Sequence, residues 1–362
     1  MQSKSYLLNK ENSLILRGLA IIAIMYHNLL HDKFFGLCQE NEGTFIQENA
    51  DAFFGVIGNF DNQLLFQLSS FLGWIGVPVF VFLTGYGLAK KYPSQHSQIH
   101  KRSFLKRCYL KLFFLLCPVL LFYAFVDAYL GEWGNLPKRL VELTMLYNLD
   151  YPDFRVPPGV YWYFSLTFQL YILYCFFYKY LTPIKMLIMS VLSLLVLYLL
   201  ITADLNFIRT IYRVCFPGWF PLFAIGIWMA NDDRLMRMIE GYSIYKTIIL
   251  LMILLFFVVI MNFNIISWLF IPIVSLFLFF LLSKIIVNIE YMDGLFKWIG
   301  RLSAFIFVCH PVAVRIVILL CEKINISGHG IWLSLIVYTV LTFVMSLFYE
   351  KLYNQLSKRF IK

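Results

Sequence analysis

Charged side chains are scarce in this sequence. Asp, Glu, Lys and Arg make up 14% of its 362 residues, whereas hydrophobic residues make up 61% and the mean hydropathy is +0.75. Ordinary soluble domains carry roughly a quarter of their residues as charged side chains, so this composition excludes one or two soluble domains. The chain is therefore predicted to be a polytopic membrane protein.

Paired cysteines are also missing. The seven cysteines are scattered singly, mostly within apolar stretches, and no CxxC motif is present. This pattern excludes a disulfide framework and a cysteine metal cluster, and no metal is expected. No small-residue cleavage site follows the first apolar stretch, so we expect no removable signal peptide.

Ten apolar stretches are long enough to cross a bilayer as helices. They lie at about residues 14–32, 65–89, 108–130, 159–181, 184–203, 214–230, 244–263, 265–287, 297–320 and 330–350. The predicted fold is all-α, a bundle of about ten transmembrane helices. We expect residues 1–362 to form a single membrane domain, with its spans within about 14–350 and no appended soluble domain.

The net charge of +10 comes from short basic runs between the apolar stretches. Cytoplasmic loops of membrane proteins carry such runs, so nucleic-acid binding is not expected. Most Lys and Arg residues fall in the cytoplasm when both termini are placed there, and the positive-inside rule therefore predicts cytoplasmic termini. A bacterial inner membrane is the expected location. The oligomeric state is not predicted.

Three loops stand out. The predicted outer loops 33–62, which is acidic, and 131–158, which is rich in aromatic residues and proline, either cover a substrate entrance or are plain connectors. The basic loop 90–107 suits anionic lipid headgroups, although a phosphate-rich cytoplasmic ligand would use the same charge.

The first apolar stretch carries two ionisable residues that need an explanation. Arg17 and His27 are ten residues apart, which is about 15 Å along a helix axis. Arg17 either extends to the cytoplasmic headgroups or lines a functional cavity. His27 lies deeper, where an imidazole is either a hydrogen-bonded packing residue or a group that exchanges protons near neutral pH. His31 follows one turn later and is interpreted as a rim residue.

Three further stretches carry notable residues. Gly73, Gly76 and Pro78 in the second stretch predict a broken or tightly packed helix. The fourth stretch begins with Trp162, typical of an interfacial aromatic belt, and its polar groups at Ser165, Thr167 and Gln169 favour a polar lining. The ninth repeats the layout of the first, with Arg301 near the cytoplasm and His310 nine residues further on.

Four motifs in order resemble the acyltransferase-3 family of integral-membrane acyltransferases. They are LRGLAIIAIMYH (Leu16–His27), GWIGVPVFVFLTGYG (Gly73–Gly87), VYWYFSLTFQLYILY (Val160–Tyr174) and IGRLSAFIFVCHP (Ile299–Pro311). Each motif is weak alone, but together they cover nearly the whole chain.

The resemblance implies transfer of an acyl group, most often acetyl, from cytoplasmic acyl-CoA to a hydroxyl of a cell-surface glycan or lipid-linked sugar. Arg17 would then pair with the CoA phosphates, with the basic residues Lys90, Lys91 and Arg102 nearby in sequence. His27 would be the general base or a transient acyl carrier. Substrate or channel roles are expected for Trp162, Ser165, Thr167, Gln169, Arg301 and His310. The family usually has glutamate where this chain has Thr167, so a carboxylate partner for the histidine is missing there.

Two other functions remain open at this point. A transporter or flippase for a lipid-linked saccharide would also use ten spans, intramembrane charge and broken helices. A scaffold subunit of an envelope-assembly complex is the third. Acyl-CoA dependence and the need for His27 distinguish the enzyme from both.

Overall fold

The computed structural model describes residues 6–59, 63–93, 98–150, 159–324 and 330–360. Within these ranges the chain is mostly helical, with turns and irregular loops between the helices and no strand. The predicted all-α class is confirmed.

The α-helices are numbered here in chain order. They are α1 (Ser13–Leu30), α2 (Gln47–Asn59), α3 (Leu64–Leu72), α4 (Val77–Lys91), α5 (Lys101–Tyr129), α6 (Asn135–Leu143), α7 (Trp162–Phe177), α8 (Pro183–Thr202), α9 (Asn206–Val214), α10 (Phe216–Asn231), α11 (Arg234–Glu240), α12 (Ile244–Ile260), α13 (Ile265–Trp268), α14 (Ile271–Val287), α15 (Glu290–Ile324) and α16 (Ile331–Phe360).

Eight helical segments in the described part of the chain are long and apolar enough to cross a membrane. Two shorter apolar helices, α7 and α14, lie at the predicted fourth and eighth spans. The span count of ten and the cytoplasmic position of the termini stay predictions. Several of the apolar segments, such as α8 and α12, have few buried residues, as helices facing lipid do.

The chain divides into two compact units. Unit 1 comprises residues Met1–Lys91 and Pro221–Ser303, and unit 2 comprises Tyr92–Phe220 and Ala304–Lys362. The interpretation of residues 1–362 as one membrane domain stays a prediction.

Unit 1 is packed around α1, which contacts α3, α4, α14 and the 3₁₀ turn Gly73–Gly76. Small residues allow this close packing: a Cβ atom added at Gly76 would collide with the carbonyl oxygen of Ala20 on α1. The turn breaks the second predicted span into α3 and α4, and Pro78 lies in the first turn of α4, where it costs no helical hydrogen bond. The predicted broken and tightly packed helix is confirmed.

Unit 2 is packed around α5, which contacts α6, α7 and α16. Buried tyrosines join these elements through hydroxyl groups that donate to backbone carbonyls. Tyr161 donates to Val308 at 3.0 Å, and Tyr349 on α16 donates to Leu115 on α5 at 3.0 Å.

The three notable loops are described only in part. Residues 60–62 of the acidic loop, 151–158 of the aromatic loop and 94–97 of the basic loop lie outside the described residues. The described part of the acidic loop contains a 3₁₀ turn (Lys33–Phe35), an irregular segment over residues 37–46 and helix α2.

Candidate active site

The imidazole of His27 lies in the interior of unit 1, near the C-terminal end of α1. Its exposed fraction is 4%. Its Nδ1 atom lies 2.7 Å from the backbone carbonyl oxygen of Ser70 on α3. A carbonyl oxygen only accepts, so Nδ1 carries the hydrogen and donates it. In the neutral ring, Nε2 therefore keeps its lone pair and can accept a proton.

Glycine at position 73 makes room for this imidazole. A Cβ atom added at Gly73 would collide with the Cβ atom of His27 and lie 2.7 Å from the carbonyl oxygen of Ala23. Because Gly73 follows Ser70 by less than one helical turn, the same close approach brings the Ser70 carbonyl within hydrogen-bond distance of the ring. The glycine of the second motif and the histidine of the first thus form one local structure.

Two carboxylates of the irregular segment 37–46 lie beside His27. One ligand atom from each of His27, Glu40 and Glu42 lies within 4.8 Å of the other two. His31, one turn beyond His27, places its Nδ1 atom 3.1 Å from Glu40 Oε2. The rings of His27 and His31 are stacked, with centroids 5.2 Å apart. The site therefore combines two imidazoles with two carboxylates, a set that can share a proton.

The segment that carries these carboxylates is fixed through its backbone. The Cys38 amide donates to Gln67 Oε1 at 2.8 Å, and the Ser70 hydroxyl donates to the Cys38 carbonyl at 2.7 Å. Further along, Trp268 Nε1 donates to the Asn41 carbonyl at 2.9 Å. None of these contacts uses the carboxylate of Glu40 or Glu42.

The predicted acyl-CoA residues of unit 1 are exposed. Arg17 lies in the second turn of α1, and Lys90 and Lys91 lie in the last turn of α4. Lys90 Nζ lies 5.4 Å from the centre of the Tyr86 ring. Arg301 is also exposed, on α15. Arg102, in the first turn of α5, belongs to unit 2 and is exposed as well.

A family model described as an acyltransferase domain, that of the acyltransferase-3 family, matches residues 14–350. The chain belongs to the acyltransferase-3 family. The family resemblance of the four motifs is confirmed, and the protein is an integral-membrane acyltransferase. No curated protein and no solved structure matches the chain.

The polar residues expected to line a substrate path in this acyltransferase lie in unit 2, on α7. The Thr167 hydroxyl donates to the Tyr163 carbonyl of its own helix at 2.8 Å. Gln169 Oε1 accepts from the Phe216 amide at 2.9 Å and so holds the first turn of α10. Trp162 stacks on Trp219, with ring centroids 5.7 Å apart. The contacts of Gln169 and Trp162 join α7 to α10, and a channel role for the three residues stays a prediction.

Two other predicted residues of unit 2 are fully buried. The Ser165 hydroxyl makes no hydrogen bond with the described atoms of the protein. His310 Nδ1 lies 3.1 Å from the Ile306 carbonyl of the same helix, and its ring packs on Phe307. His27 and His310 therefore differ in their local structure, although the sequence layout around them is similar. The His27 ring is bound by a different helix, α3, whereas the His310 ring is bound by the preceding turn of its own helix.

Two groups of acidic residues become apparent only in the structure. Glu40 and Glu42 were noted only as part of an acidic loop, because nothing in their spacing shows that the loop folds back onto His27. In unit 2, Arg139 pairs with Asp127 at 3.0 Å and with Glu142 at 3.3 Å, and all three side chains are buried. Only the i,i+3 spacing of Arg139 and Glu142 was available as a signal in the sequence.

Proposed function

We propose that this acyltransferase moves an acyl group, with acetyl as the first candidate, from cytoplasmic acyl-CoA to a hydroxyl of a cell-surface or lipid-linked glycan. The observation that supports this proposal is the fixed tautomer of His27. A packing histidine would also have its N–H bound, so this hydrogen bond matters because it selects the tautomer of the ring. With that hydrogen bond made, Nε2 is the atom that accepts a proton.

The chemistry is a direct transfer. His27 Nε2 takes the proton of the acceptor hydroxyl while the hydroxyl oxygen attacks the carbonyl carbon of the thioester. The new C–O bond forms and the C–S bond breaks, and the proton passes from the imidazolium to the leaving thiolate. The products are the acyl ester and free CoA, and the histidine returns to its starting state.

In this proposal, Arg17 near the start of α1 binds the donor and His27 near its end carries out the reaction. Arg17 is exposed ten residues before His27, about 15 Å away along the helix axis. Its guanidinium would bind the CoA phosphates by charge-assisted hydrogen bonds, while the extended thioester arm reaches His27. The exposed residues Lys90 and Lys91 of the same unit would add attraction for the anionic nucleotide. The donor would enter from the cytoplasm of a bacterial cell, across its inner membrane.

A transfer assay tests this function. Membrane vesicles from the source cells, carrying the full chain and the native envelope glycan, receive radiolabelled acetyl-CoA or succinyl-CoA. We expect label in the glycan fraction with the native chain, and a loss on the order of 100-fold or more in His27→Ala, the scale of removing a general base. His100→Ala is the matched control. This exposed histidine occupies the N-cap position of α5, and its side chain makes no capping hydrogen bond.

The outcome separates the enzyme from the carrier. If His27→Ala transfers label at the native rate, or if the native chain transfers neither acyl group, the proposed function is wrong. A flippase would keep its activity in this variant and would show no dependence on acyl-CoA.

A further inference from the structure

We infer that Glu40 and Glu42, in the loop after α1, are the carboxylate partners of His27. They act through the imidazole, so they are positioning residues and do not touch the acyl donor. This inference rests on the proposed function, and it assigns the group that holds the charge of His27 during transfer.

The first observation is geometric. A ring nitrogen of His27 and a carboxylate oxygen from each glutamate lie within 4.8 Å of one another. His31 is held 3.1 Å from Glu40 Oε2 and stacks on His27, so one carboxylate is oriented by the neighbouring ring. At position 167, by contrast, a threonine hydroxyl is bonded within its own helix.

The second observation is that hydrogen bonds anchor the backbone of the loop. Its backbone is bound at Cys38, Glu40 and Asn41 by side chains from α2, α3 and α13. The Asn41 side chain also closes the loop on itself through Ile46, donating to its carbonyl at 3.2 Å and accepting from its amide at 3.3 Å. The carboxylates are therefore presented by a preformed loop, which is how preorganised active-site charges are held.

The third observation is the charge balance around His27. When the ring takes a proton from the acceptor hydroxyl, a positive charge forms in a buried site. Near this end of α1 the ionisable side chains are Tyr26, His31, Asp32, Lys33, Cys38, Glu40 and Glu42. The Asp32 carboxylate accepts from the Phe34 amide at 2.9 Å. The segment Leu64–Gly76 has none, Lys90 and Lys91 are at the far end of α4, and Lys284 of α14 donates to the carbonyls of Ile239, Glu240 and Tyr242. The two carboxylates are thus the negative charges placed to stabilise the imidazolium.

The test uses the full chain in the same membrane vesicles with acetyl-CoA or succinyl-CoA as the donor, whichever the native chain transfers. The variants are Glu40→Gln, Glu42→Gln and the double variant, with Glu40→Asp as the conservative change. Glu48→Gln is the matched control, because Glu48 is an exposed glutamate on the neighbouring helix α2. The rate, the KM for the donor and the pH–rate profile are measured for each.

We expect kcat to fall on the order of 100-fold in the double variant, the scale of losing a preorganised charge at an active site, while the donor KM changes by less than about twofold. The acid limb of the pH–rate profile should move to lower pH, because the ring has lost the negative charges that favour its protonated form. Glu40→Asp should keep more of the native rate than Glu40→Gln does, and Glu48→Gln should keep the native rate in full. A purely structural role would instead lower the amount of folded protein without moving the pH profile.

Two results would overturn the inference. The first is a native rate and pH profile in the double variant while His27→Ala is inactive, because the proposed function would then stand without these carboxylates. In the second, a chelator abolishes the activity of the native chain and added Zn²⁺ restores it. His27, Glu40 and Glu42 would then be metal ligands. Inactivity of the native chain with both donors would contradict the proposed function itself.

Discussion

At the scale of single residues, the structure shows how a buried ionisable group is kept in one chemical state. The Ser70 carbonyl accepts from Nδ1 of His27 and so selects one tautomer of its neutral ring. Arg139 of unit 2 is different, because its guanidinium is buried between the carboxylates of Asp127 and Glu142. One cation between two anions leaves a net negative charge in a poorly solvated place, which favours protonation of one carboxylate.

This cluster predicts a pH dependence of stability. Burial raises the pKa of Glu142 to about 7, although the Arg139 guanidinium opposes the rise. The unfolded carboxyl group has a pKa of about 4.3. Between these pH values the folded protein holds a proton that the unfolded chain has released, so stability should fall as the pH rises from about 4.3 to about 7.

Thermal unfolding of the detergent-solubilised protein measures this effect. We expect the Tm of the native chain to decrease between about pH 5 and about pH 8, and the decrease to be smaller in Glu142→Gln. Glu132→Gln, which changes an exposed glutamate of the same region, should keep the native slope. Equal slopes in all three proteins would show that Glu142 does not bind the proton.

At the scale of secondary structure elements, the turn Gly73–Gly76 and the loop 37–46 build the candidate site around α1. The glycines and proline of the second span predicted a broken helix from sequence alone, because these residues act on their own backbone. What packs into the break could not be predicted, since the contact with His27 depends on how α1 and α3 meet. The carboxylates of Glu40 and Glu42 were missed for the same reason: an irregular loop has no periodicity that shows where it returns.

The close approach at Gly73 gives a test at this scale. Gly73→Ala places a methyl group against His27 and the Ala23 carbonyl, so we expect it to destabilise the protein by about 1–3 kcal/mol and to displace the imidazole from the Ser70 carbonyl. Acyl transfer should fall more than the amount of folded protein does. Gly87→Ala is the control. Gly87 lies on α4 in the same predicted span, and a Cβ atom added there meets nothing within 4 Å.

The measurements are the Tm in detergent and the transfer rate per folded protein. If Gly73→Ala matches Gly87→Ala in both, α1 and the turn are less tightly packed than the structure shows, and the site does not depend on this contact.

At the scale of the whole molecule, composition and family motifs predicted most of what is established. The all-α membrane fold followed from hydrophobic runs of sufficient length, and the acyltransferase family followed from four motifs spread over the chain. The donor, the acceptor and the membrane side could not be derived in the same way. The donor and the acceptor depend on binding energies, which a sequence motif does not measure, and the membrane side depends on how the chain inserts.

The central claim is that acyl-CoA binds this protein through Arg17 and reacts at His27. Isothermal titration of acetyl-CoA and succinyl-CoA into the full chain in nanodiscs tests it most directly, with Arg17→Ala, His27→Ala and the exposed control Arg234→Ala alongside. We predict binding of at least one donor, weakened about tenfold or more in Arg17→Ala and changed less than about twofold in His27→Ala and Arg234→Ala, because a lost charge-assisted hydrogen bond costs roughly 1.5–3 kcal/mol. Absence of binding heat for both donors, or equal affinities in Arg17→Ala and the native chain, would contradict the account.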